Sequence, residues 1–415
     1  MSLTNPHSYF LKPLTCDVVQ NQSELEDLRA EWNSLFSSVA DASPCAHPDW
    51  TLSWWLAFGT NSLGAGRHTF LYVLTFRDSE GVLVAMMPMY EDQPTSFTAI
   101  RRLRSIGYLG RERAYDMTEE PTNLILPGYE SLVIEQINLH FHRQLANGRW
   151  DFVAIVLSNG FELSFSETQR VAFVRWDQRS GSDYVSLPPT WTEYRSQMTK
   201  SMRENLPYYA RLLTRHGHDW CFKKIDDPTM VQDAVLRLST LHQARSESTR
   251  GTRHSNHLHG PAQIDFFAEF LTRAVRAGDG FIMELHVNNK VIASQAFYKS
   301  GDTLTVSYSG FDEAFYKYSP IFVINAAVFQ EAQEIGMRKL NFLRVMAPWK
   351  SRWLAVGGPP MQRVFSVRRS PVSMLRYLMH IIQIGIERDF VLRAPILLDR
   401  FKHTAMVAFL ISFFE

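Results

Sequence analysis

Residues Phe281–Phe311 read FIMELHVNNKVIASQAFYKSGDTLTVSYSGF. Apolar, β-branched and aromatic residues fill three runs, which are separated by Asn288-Asn289 and by Ser300-Gly301-Asp302. Apolar runs divided by tight polar turns are typical of consecutive antiparallel strands. The stretch therefore predicts three neighbouring strands at the centre of a sheet.

A capped helix is predicted directly after these strands. Ser319 suits the N-cap and Pro320 the first helical position. Apolar residues then recur on one helical face at Ile321, Ile324, Val328, Ala332 and Ile335, before Gly336 and the strand-like KLNFLR of Lys339–Arg344. The first amides of a helix are unpaired and attract anions. We expect amides near Ser319, Ile321 and Phe322 to bind a pyrophosphate, with an ordinary packed helix as the alternative.

Two basic groups of residues accompany this helix. Arg344, Lys350 and Arg352 follow the last strand and could neutralise phosphates or a carboxylate, or could form a solvated loop. Thr199–Arg215 carries Lys200, Arg203, Arg211 and Arg215, which could be a solvated face or could bind an anionic partner. The capped helix and the basic cluster after the last strand suit a phosphate-bearing donor such as an acyl-thioester cofactor.

Four residues are candidates for proton transfer or for polarising a carbonyl. His242 ends the helical run Val231–Arg245, and a histidine can act as a general base near neutral pH. Glu284, Tyr308 and Asp312 lie on or near the predicted central strands. A structural role is the alternative for each of them.

The first half of the chain contains a second hairpin pattern. HTFLYVLTF (His68–Phe76) and VLVAMMPMY (Val82–Tyr90) flank the turn Asp78–Gly81, after helical patterns at Glu24–Phe36 and Pro48–Phe58. Two equivalent lobes would explain the similarity between the halves, and chance is the alternative. We expect one lobe over residues 1–183, a second over 184–370 with the donor site, and a helical apolar tail over 371–415. Gly181–Pro189 is read as the linker, and the helical run from Trp191 to His216 is expected to be interrupted at Pro207.

Composition excludes several classes of protein. The 415 residues are 45% hydrophobic with a net charge of +1, which argues against nucleic-acid binding over the whole surface. Three separated cysteines and the lack of a secretory signal favour reduced thiols and a cytoplasmic location. GxSxG, GxGxxG and P-loop motifs are absent, and His254, His257 and His259 lack the frame of a zinc site. The apolar stretches Met374–Ile386 and Thr404–Phe414 are expected to pack as a closing helix or to touch a membrane surface.

Five segments resemble, in order, motifs of the CelD-like acetyltransferases, which are tandem GNAT-fold proteins related to the FemAB-type transferases. They are HPDWTLSWWLAFG (His47–Gly59), Trp191–Gly217, LHQARSESTRG (Leu241–Gly251), GFDEAFYKYSP (Gly310–Pro320) and NFLRVMAPWKSRW (Asn341–Trp353). The chain departs from the family pattern at Asn341 (usually Asp), Val345 (Gly), Trp349 (Tyr) and Ile321 (Gly).

The resemblance implies an α/β (α+β) fold of two GNAT-like lobes, each a mixed, mostly antiparallel sheet flanked by helices. It implies acyl transfer from acyl-coenzyme A or the phosphopantetheine of an acyl carrier protein to an amine or hydroxyl of a small molecule or sugar, without a metal. Tyr318, Ser319, Lys350 and Arg352 would then bind the donor, and Asp312 or His242 would handle the proton. Two alternatives are an aminoacyl-tRNA-dependent, Fem-like transferase and a non-catalytic module in polysaccharide or envelope assembly.

Overall fold

The computed structural model describes residues 14–59, 67–96, 99–108, 117–158, 171–179, 181–248, 255–344 and 347–382. Its strands are β1 (Thr15–Val19), β2 (Arg67–Leu71), β3 (Val73–Arg77), β4 (Leu83–Met87), β5 (Met89–Pro94), β6 (Arg102–Ser105), β7 (Leu124–Ile125), β8 (Phe152–Leu157), β9 (Val171–Arg179), β10 (Asp183–Ser186), β11 (Trp220–Ile225), β12 (Gly280–Val287), β13 (Lys290–Ser300), β14 (Thr303–Phe311), β15 (Lys339–Asn341), β16 (Val356–Gly357) and β17 (Met361–Arg368).

The helices are α1 (Gln22–Asp27), α2 (Arg29–Ser38), α3 (Pro48–Trp54), α4 (Glu130–Ala146), α5 (Trp191–Gln197), α6 (Lys200–Arg215), α7 (Val231–Glu247), α8 (Pro261–Arg276), α9 (Pro320–Glu334), α10 (Pro348–Arg352) and α11 (residues 371–382). A π-helical turn, Trp55–Gly59, extends α3, and a 3-10 helix, Glu313–Tyr318, precedes α9. None of the described helices is long and apolar enough to cross a membrane.

The second lobe is built on a seven-stranded sheet in the order β11-β12-β13-β14-β15-β10-β16. Side chains alternate across it, as the two-residue period of a strand requires. Ile282, Ala296 and Tyr298 share a core with α7 and α8, whereas Met283 and Phe297 share a core with α9. Helices therefore cover both faces, and α9 lies on the face opposite α7 and α8.

The three central strands and the helix that starts at Ser319-Pro320 are confirmed, although the Ser319 side chain makes no capping hydrogen bond. β12, β13 and β14 are antiparallel neighbours. Asn288 and Asn289 both have positive φ, 50° and 65°, as a type I′ hairpin turn requires. Gly301, with φ of 58°, forms the second turn. Each turn residue has the short or absent side chain that tolerates left-handed backbone.

The first lobe contains the predicted hairpin in a more elaborate form. β3 pairs with β4 in the four-stranded sheet β1-β3-β4-β7, while β2 pairs with β5 in the six-stranded sheet β2-β5-β6-β8-β17-β9. Each predicted strand is thus divided, and its two parts belong to different sheets. The breaks fall at Tyr72 and at Pro88, and a proline cannot donate to a ladder.

Three expectations about the chain's organisation need correction. Part of the segment read as a linker forms β10, which pairs with both β15 and β16. The break in the helical run falls between α5 and α6, where Thr199 caps α6, and Pro207 lies inside α6. β17 pairs with β8 and β9 of the first lobe, so the division drawn at residue 370 does not follow a sheet boundary.

Candidate active site

β14 and β15 separate after three residue pairs. Their parallel ladder joins Thr303–Lys339, Leu304–Leu340 and Thr305–Asn341. Beyond Asn341 the chain stays with β10, because Phe342 donates to Asp183 O and Asp183 donates to Leu343 O. β14 continues to Phe311 with a register irregularity against β13 between Gln295 and Phe297. We call the gap that results the β14–β15 opening.

A strained turn follows β15 at the edge of this opening. Leu343 is buried, yet its φ is 58°, a conformation that non-glycine residues seldom adopt and that often occurs at functional sites. Its backbone N–H donates to Oδ1 of Asn341 at 2.8 Å, which stabilises the turn. The buried Nε of Arg344 has no hydrogen-bond partner among the described residues.

A segment of the first lobe, Met117–Glu120, lies against the opening. Tyr308 donates its hydroxyl to Met117 O at 3.2 Å, and the backbone N–H of Arg344 donates to Oε2 of Glu119 at 2.8 Å. Asn341 Nδ2 donates to Oε1 of Glu120 at 3.2 Å. The opening is therefore formed by residues of both lobes.

Trp50 of α3 positions this segment through a hydrogen bond to Thr118. Its indole N–H donates to Oγ1 of Thr118 at 2.9 Å, and its ring packs edge-on against Phe266 and Phe270 of α8, with centroids 5.0 and 4.7 Å away. Buried tryptophans usually find a partner for the ring N–H. The aromatic motif at His47–Gly59 thus acts through packing, and it holds Thr118 next to Glu119.

Glu119 is a site residue that the sequence analysis missed. Burial raises the pKa of its carboxyl above the ordinary value, opposed in part by the hydrogen bond from Arg344 and by the charges of Arg344 and Lys350. A carboxyl with a raised pKa in a cleft is a candidate acid or base. The only signal in the sequence was the pair of acidic residues before Pro121, which has no periodicity and no motif.

Glu120 plays a different part, because it is saturated with donors. Ser43 donates to its Oε2 at 3.0 Å, and Tyr184, Asn341 and Ser182 donate to Oε1. A buried carboxylate needs such donors to offset lost hydration. Glu120 therefore joins the lobes and holds Asn341 in place.

His242 and Tyr308 lie together on the α7 side of the opening. His242 donates from Nδ1 to Ser309 O at 2.8 Å and accepts the backbone N–H of His257 at Nε2, 3.3 Å away. Burial lowers the pKa of His242. Both ring nitrogens contact backbone groups, so the geometry gives His242 a positioning role. The pKa of the buried Tyr308 hydroxyl is raised well above its usual value by burial, so Tyr308 is a hydrogen-bond donor at neutral pH.

Arg245 approaches the opening from the end of α7. It donates from Nη1 to Oγ of Ser309 at 2.7 Å, and burial lowers its pKa to about 10. Ser309 faces Gln295 across the β13–β14 ladder, and the Oε1 atom of Gln295 lacks a hydrogen-bond partner among the described residues. The opening therefore combines a buried cation with polar groups able to bind further atoms.

The predicted donor-binding helix begins as expected, but its side chains serve packing. Ser319, at φ 46°, caps α9 without a side-chain hydrogen bond. The Tyr318 hydroxyl contacts His216 Nδ1 at 2.8 Å and His218 Nε2 at 2.9 Å. Phe322 packs against Tyr209 and Trp353. Ile321 is half-buried against the same core. Of these residues only backbone amides are placed to meet a phosphate.

Lys350 and Arg352 differ in solvent exposure, and only Lys350 is buried. Lys350 is 4% exposed and donates from Nζ to Asp183 Oδ2, Leu343 O and Arg344 O at 2.8, 3.0 and 2.8 Å. All three ammonium protons are therefore matched by acceptors of the protein, and Lys350 supports the turn at Leu343. Arg352 is exposed on α10 and lies outside the opening's contacts.

Asp312 and Glu284 lie apart from the opening. Asp312 caps the 3-10 helix before α9 through Ala314 N and pairs with Lys290 Nζ at 2.6 Å, a bond that lowers its pKa. Glu284 is buried on β12, two strands from β14, where Arg237 and His286 contact its two oxygens at 2.8 and 3.0 Å. The structure does not bring either carboxylate together with Tyr308.

Two further features lie outside the opening. In the described part of the chain, no group of three His, Cys, Asp or Glu side chains is arranged to hold a metal, and His254 falls outside the described residues. A cleft of about 540 Å³ lies between α3 and α8, on the sheet face opposite α9, and its lining includes Ser53, Asp265 and Glu269.

Comparison with known families decides the fold. Residues 200–351 match the family described as the acetyltransferase (GNAT) domain. This part of the chain is therefore similar to GNAT acetyltransferase domains. The match covers α6 through most of α10, which includes the strands and the turn that form the opening. The GNAT domain supports an acyltransferase-type enzyme, and the mixed α/β architecture agrees with the fold class expected from the sequence.

Several solved structures superpose on this chain at low sequence identity. FemX superposes with a TM-score of 0.52 at 7% identity, covering 84% of this chain and 96% of FemX. L-PGS from Bacillus licheniformis gives 0.45 at 12% identity, covering 87% and 97% of the two chains. The tandem GNAT protein of the clavulanic acid biosynthesis pathway gives 0.43 at 10% identity, covering 86% and 99%. No curated protein matches the chain.

Proposed function

We propose that the protein transfers an acyl group from an acyl thioester, carried by coenzyme A or an acyl carrier protein, to an amine or hydroxyl of a small molecule or sugar. The observation that supports the proposal is the β14–β15 opening in the segment that matches the GNAT domain, because Arg344 and Arg245 of that segment and Glu119 of the first lobe lie beside it. The narrower assignment, a CelD-like enzyme, is supported by the ordered motifs from His47 to Trp353.

Orphaned polar atoms beside the opening support a donor with an amide-bearing arm. Thr305 Oγ1, Ser307 Oγ and Arg344 Nε are buried without partners among the described residues. Buried polar atoms of this kind normally have partners, and a group bound in the opening would supply partners for these three. A phosphopantetheine arm carries amides and a terminal thioester, and it would supply both the partners and the activated carbonyl.

The donor phosphates fit the start of α9. Its first amides are not capped by a side chain, and α6 packs beside them through Tyr209 on Phe322. α6 carries the four cations named above, and Lys317 lies over the Tyr318 ring at 4.9 Å. Helix dipole and cations together favour an anion at this position.

We assign Glu119 as the proton acceptor of the transfer. In the reaction the acceptor nitrogen or oxygen bonds to the thioester carbon, the C–S bond breaks, and the sulfur leaves with the electron pair. The proton released by the acceptor goes to the Glu119 carboxylate. One oxygen of Glu119 is held by Arg344 N–H at 2.8 Å, which leaves the other oxygen to accept. A positioned base of this kind contributes about 10² to 10⁴ in rate.

Donor binding tests the proposal directly. Coenzyme A, acetyl-coenzyme A and a phosphopantetheine-loaded carrier protein are added, and the melting temperature is recorded. We expect a rise with at least one of them, lost in Arg344→Gln and kept in Arg352→Gln, since Arg352 is an exposed arginine outside the opening. No rise with any of these donors would reject thioester binding.

Glu119→Gln then separates chemistry from binding. The amide cannot accept the proton but fills the same space. We expect the donor-induced rise in melting temperature to persist while acyl transfer falls by about 10² or more. Unchanged transfer would exclude Glu119 as the base without affecting the donor assignment.

A Fem-like, tRNA-dependent transfer is the second candidate. The FemX superposition and the basic face of α6 favour it. Binding of aminoacyl-tRNA should then weaken steeply with salt, because each neutralised phosphate releases counterions. Failure to bind tRNA at low salt would remove this candidate.

A non-catalytic module in polysaccharide or envelope assembly is the remaining alternative. Formation of an acylated product by the purified protein would exclude it.

A further inference from the structure

Helix α11 is fixed to the first lobe by its polar side. Ser373, Arg376, Tyr377 and His380 lie within an arc of about 100° on the helix. Ser373 Oγ and Arg376 Nη1 contact Asp151 at 2.6 and 2.9 Å, and the Tyr377 ring packs on Phe152 with centroids 5.3 Å apart. The polar face thus points inward, onto the sheet.

The opposite half of α11 is apolar and exposed. Leu375, Leu378 and Met379 are 61%, 55% and 58% exposed. The other members of this face are Val372, Met374, Ile381 and Ile382. These seven are a large share of the 17 exposed large apolar side chains in the part of the chain that the structure describes. A surface helix normally has the reverse arrangement, so this contiguous face indicates an interaction site.

The helix cannot simply turn this face inward. Asp151 is buried and also accepts Nε and Nη2 of Arg101 at 3.1 and 2.9 Å. Rotation of α11 would leave Asp151 without Arg376 and Ser373 and would bury the aliphatic residues against Arg102, which approaches His380 at 3.5 Å. The outward direction of the apolar face is therefore part of the fold.

The chemistry of this face fits lipid better than protein. Its members are all aliphatic or methionine, without the Trp, Tyr or Arg anchors that dominate protein interfaces. The sequence that follows contains a second uncharged run, Thr404–Phe414, directly after Arg400, Lys402 and His403. At about 16 Å as a helix, that run is too short for a hydrocarbon core of about 30 Å. Apolar residues next to cations are typical of segments that lie in the interface of an anionic membrane.

We propose that α11 docks with its apolar face on an anionic lipid surface. The inference does not depend on the identity of the acyl donor, because none of the residues named here lies at the β14–β15 opening.

Vesicle flotation with the full chain tests the proposal. The protein is mixed with vesicles of phosphatidylcholine alone or with added phosphatidylglycerol. We expect co-flotation with the anionic vesicles and a loss of at least tenfold in the double variant Leu375→Glu/Leu378→Glu. Leu236→Glu on α7 and Leu139→Glu on α4 are matched controls, because both leucines are similarly exposed on other helices. Both controls should float like the wild type.

A second variant separates the other occupants of this face. A gain in flotation for Phe409→Glu would show that the Thr404–Phe414 run covers α11 within the chain and would overturn the proposal, whereas unchanged flotation would support docking by α11 itself. A dimer in sedimentation that Leu375→Glu/Leu378→Glu dissociates, without flotation, would assign the face to a second copy. Equal flotation of the wild type and the double variant would also overturn it.

Discussion

The backbone N–H of Arg344 donates to Oε2 of Glu119 at 2.8 Å, so a carboxylate of the first lobe fixes the strained turn of the second. The backbone carbonyl of Leu343 in this turn accepts a hydrogen bond from Lys350, and the adjacent Asn341 donates to Glu120. The candidate active site thus depends on both lobes, although the matched GNAT domain spans only residues 200–351.

Asn341→Asp should destabilise the protein near neutral pH. The new carboxylate would face Oε1 of Glu120, where Asn341 Nδ2 now donates at 3.2 Å. Two buried carboxylates at this distance repel, which raises the pKa of one of them above its unfolded value. The loss of stability, about 2 to 3 kcal/mol, should therefore grow as the pH rises above about 4. Urea unfolding at pH 5 and pH 8 measures the difference.

A double-mutant cycle provides the control for this prediction. Glu120→Gln combined with Asn341→Asp restores one donor and one acceptor, so the pair should recover at least about 1 kcal/mol relative to additivity. Additive losses would show that the two side chains do not interact.

Lys350→Met should destabilise the fold through Asp183. The Lys350 amine is held at 2.8 Å from Asp183 Oδ2, and both side chains are buried. Removing the lysine leaves an unpaired buried carboxylate, at a cost of about 3 to 5 kcal/mol. Asp183→Asn in the same chain should recover much of the loss, as measured by chemical denaturation. If Lys350 instead served mainly to bind an external anion, the single variant would keep wild-type stability.

His140 predicts a loss of stability in acid. Its Nε2 lies 2.6 Å from the Tyr72 hydroxyl, and burial, with nearby Arg149 and Arg143, lowers its pKa to about 4. The unfolded value is about 6.5. Because the folded state binds this proton less readily than the unfolded state, protonation favours unfolding. The free energy of unfolding is therefore highest above pH 6.5 and declines as the pH falls toward 4. His140→Gln keeps an acceptor for Tyr72 and should flatten the decline. An unchanged slope in thermal unfolding between pH 4 and 7 would contradict this assignment.

Asp151→Asn should loosen α11. Burial alone would raise the pKa of Asp151, but hydrogen bonds from Arg101 and Ser373 lower it to about 2. Because this folded value lies below the unfolded value of about 3.9, the stability it contributes is present above pH 4 and is lost as the pH falls toward 2. The amide should cost about 3 kcal/mol at pH 7, since Arg376 and Arg101 would lose the buried carboxylate to which they donate. Proteolysis near residues 371–382 should accelerate, while Glu80→Gln, an exposed change, should have no effect.

Short-range patterns predicted the parts of the fold that depend on neighbouring residues. The strands β12 to β14, the turn at Asn288-Asn289 and the start of α9 at Ser319 follow from local propensity and capping, which operate over a few positions. The division of the first-lobe hairpin between two sheets did not follow, because the apolar runs through Tyr72 and Pro88 look continuous in sequence.

The site was harder to predict because its contacts join distant residues. Lys350 was interpreted as a ligand for an external anion, but its ammonium group pairs with Asp183, 167 positions earlier in the chain. Glu119 lies in a segment without periodicity, and its proximity to Arg344 exists only after the lobes pack. Tyr318 was chosen for its place before a helix, whereas His216 and His218 determine its hydrogen bonds.

The position of β17 has a consequence for biosynthesis. It lies between β8 and β9 and is their shared partner in the sheet, yet about two hundred residues separate it from them in the sequence. A nascent chain that ends before Met361 has both neighbouring strands without the one that joins them. We therefore expect the first lobe to stay incompletely folded on the ribosome until the second lobe and β17 have emerged, and to expose unpaired strand edges until then.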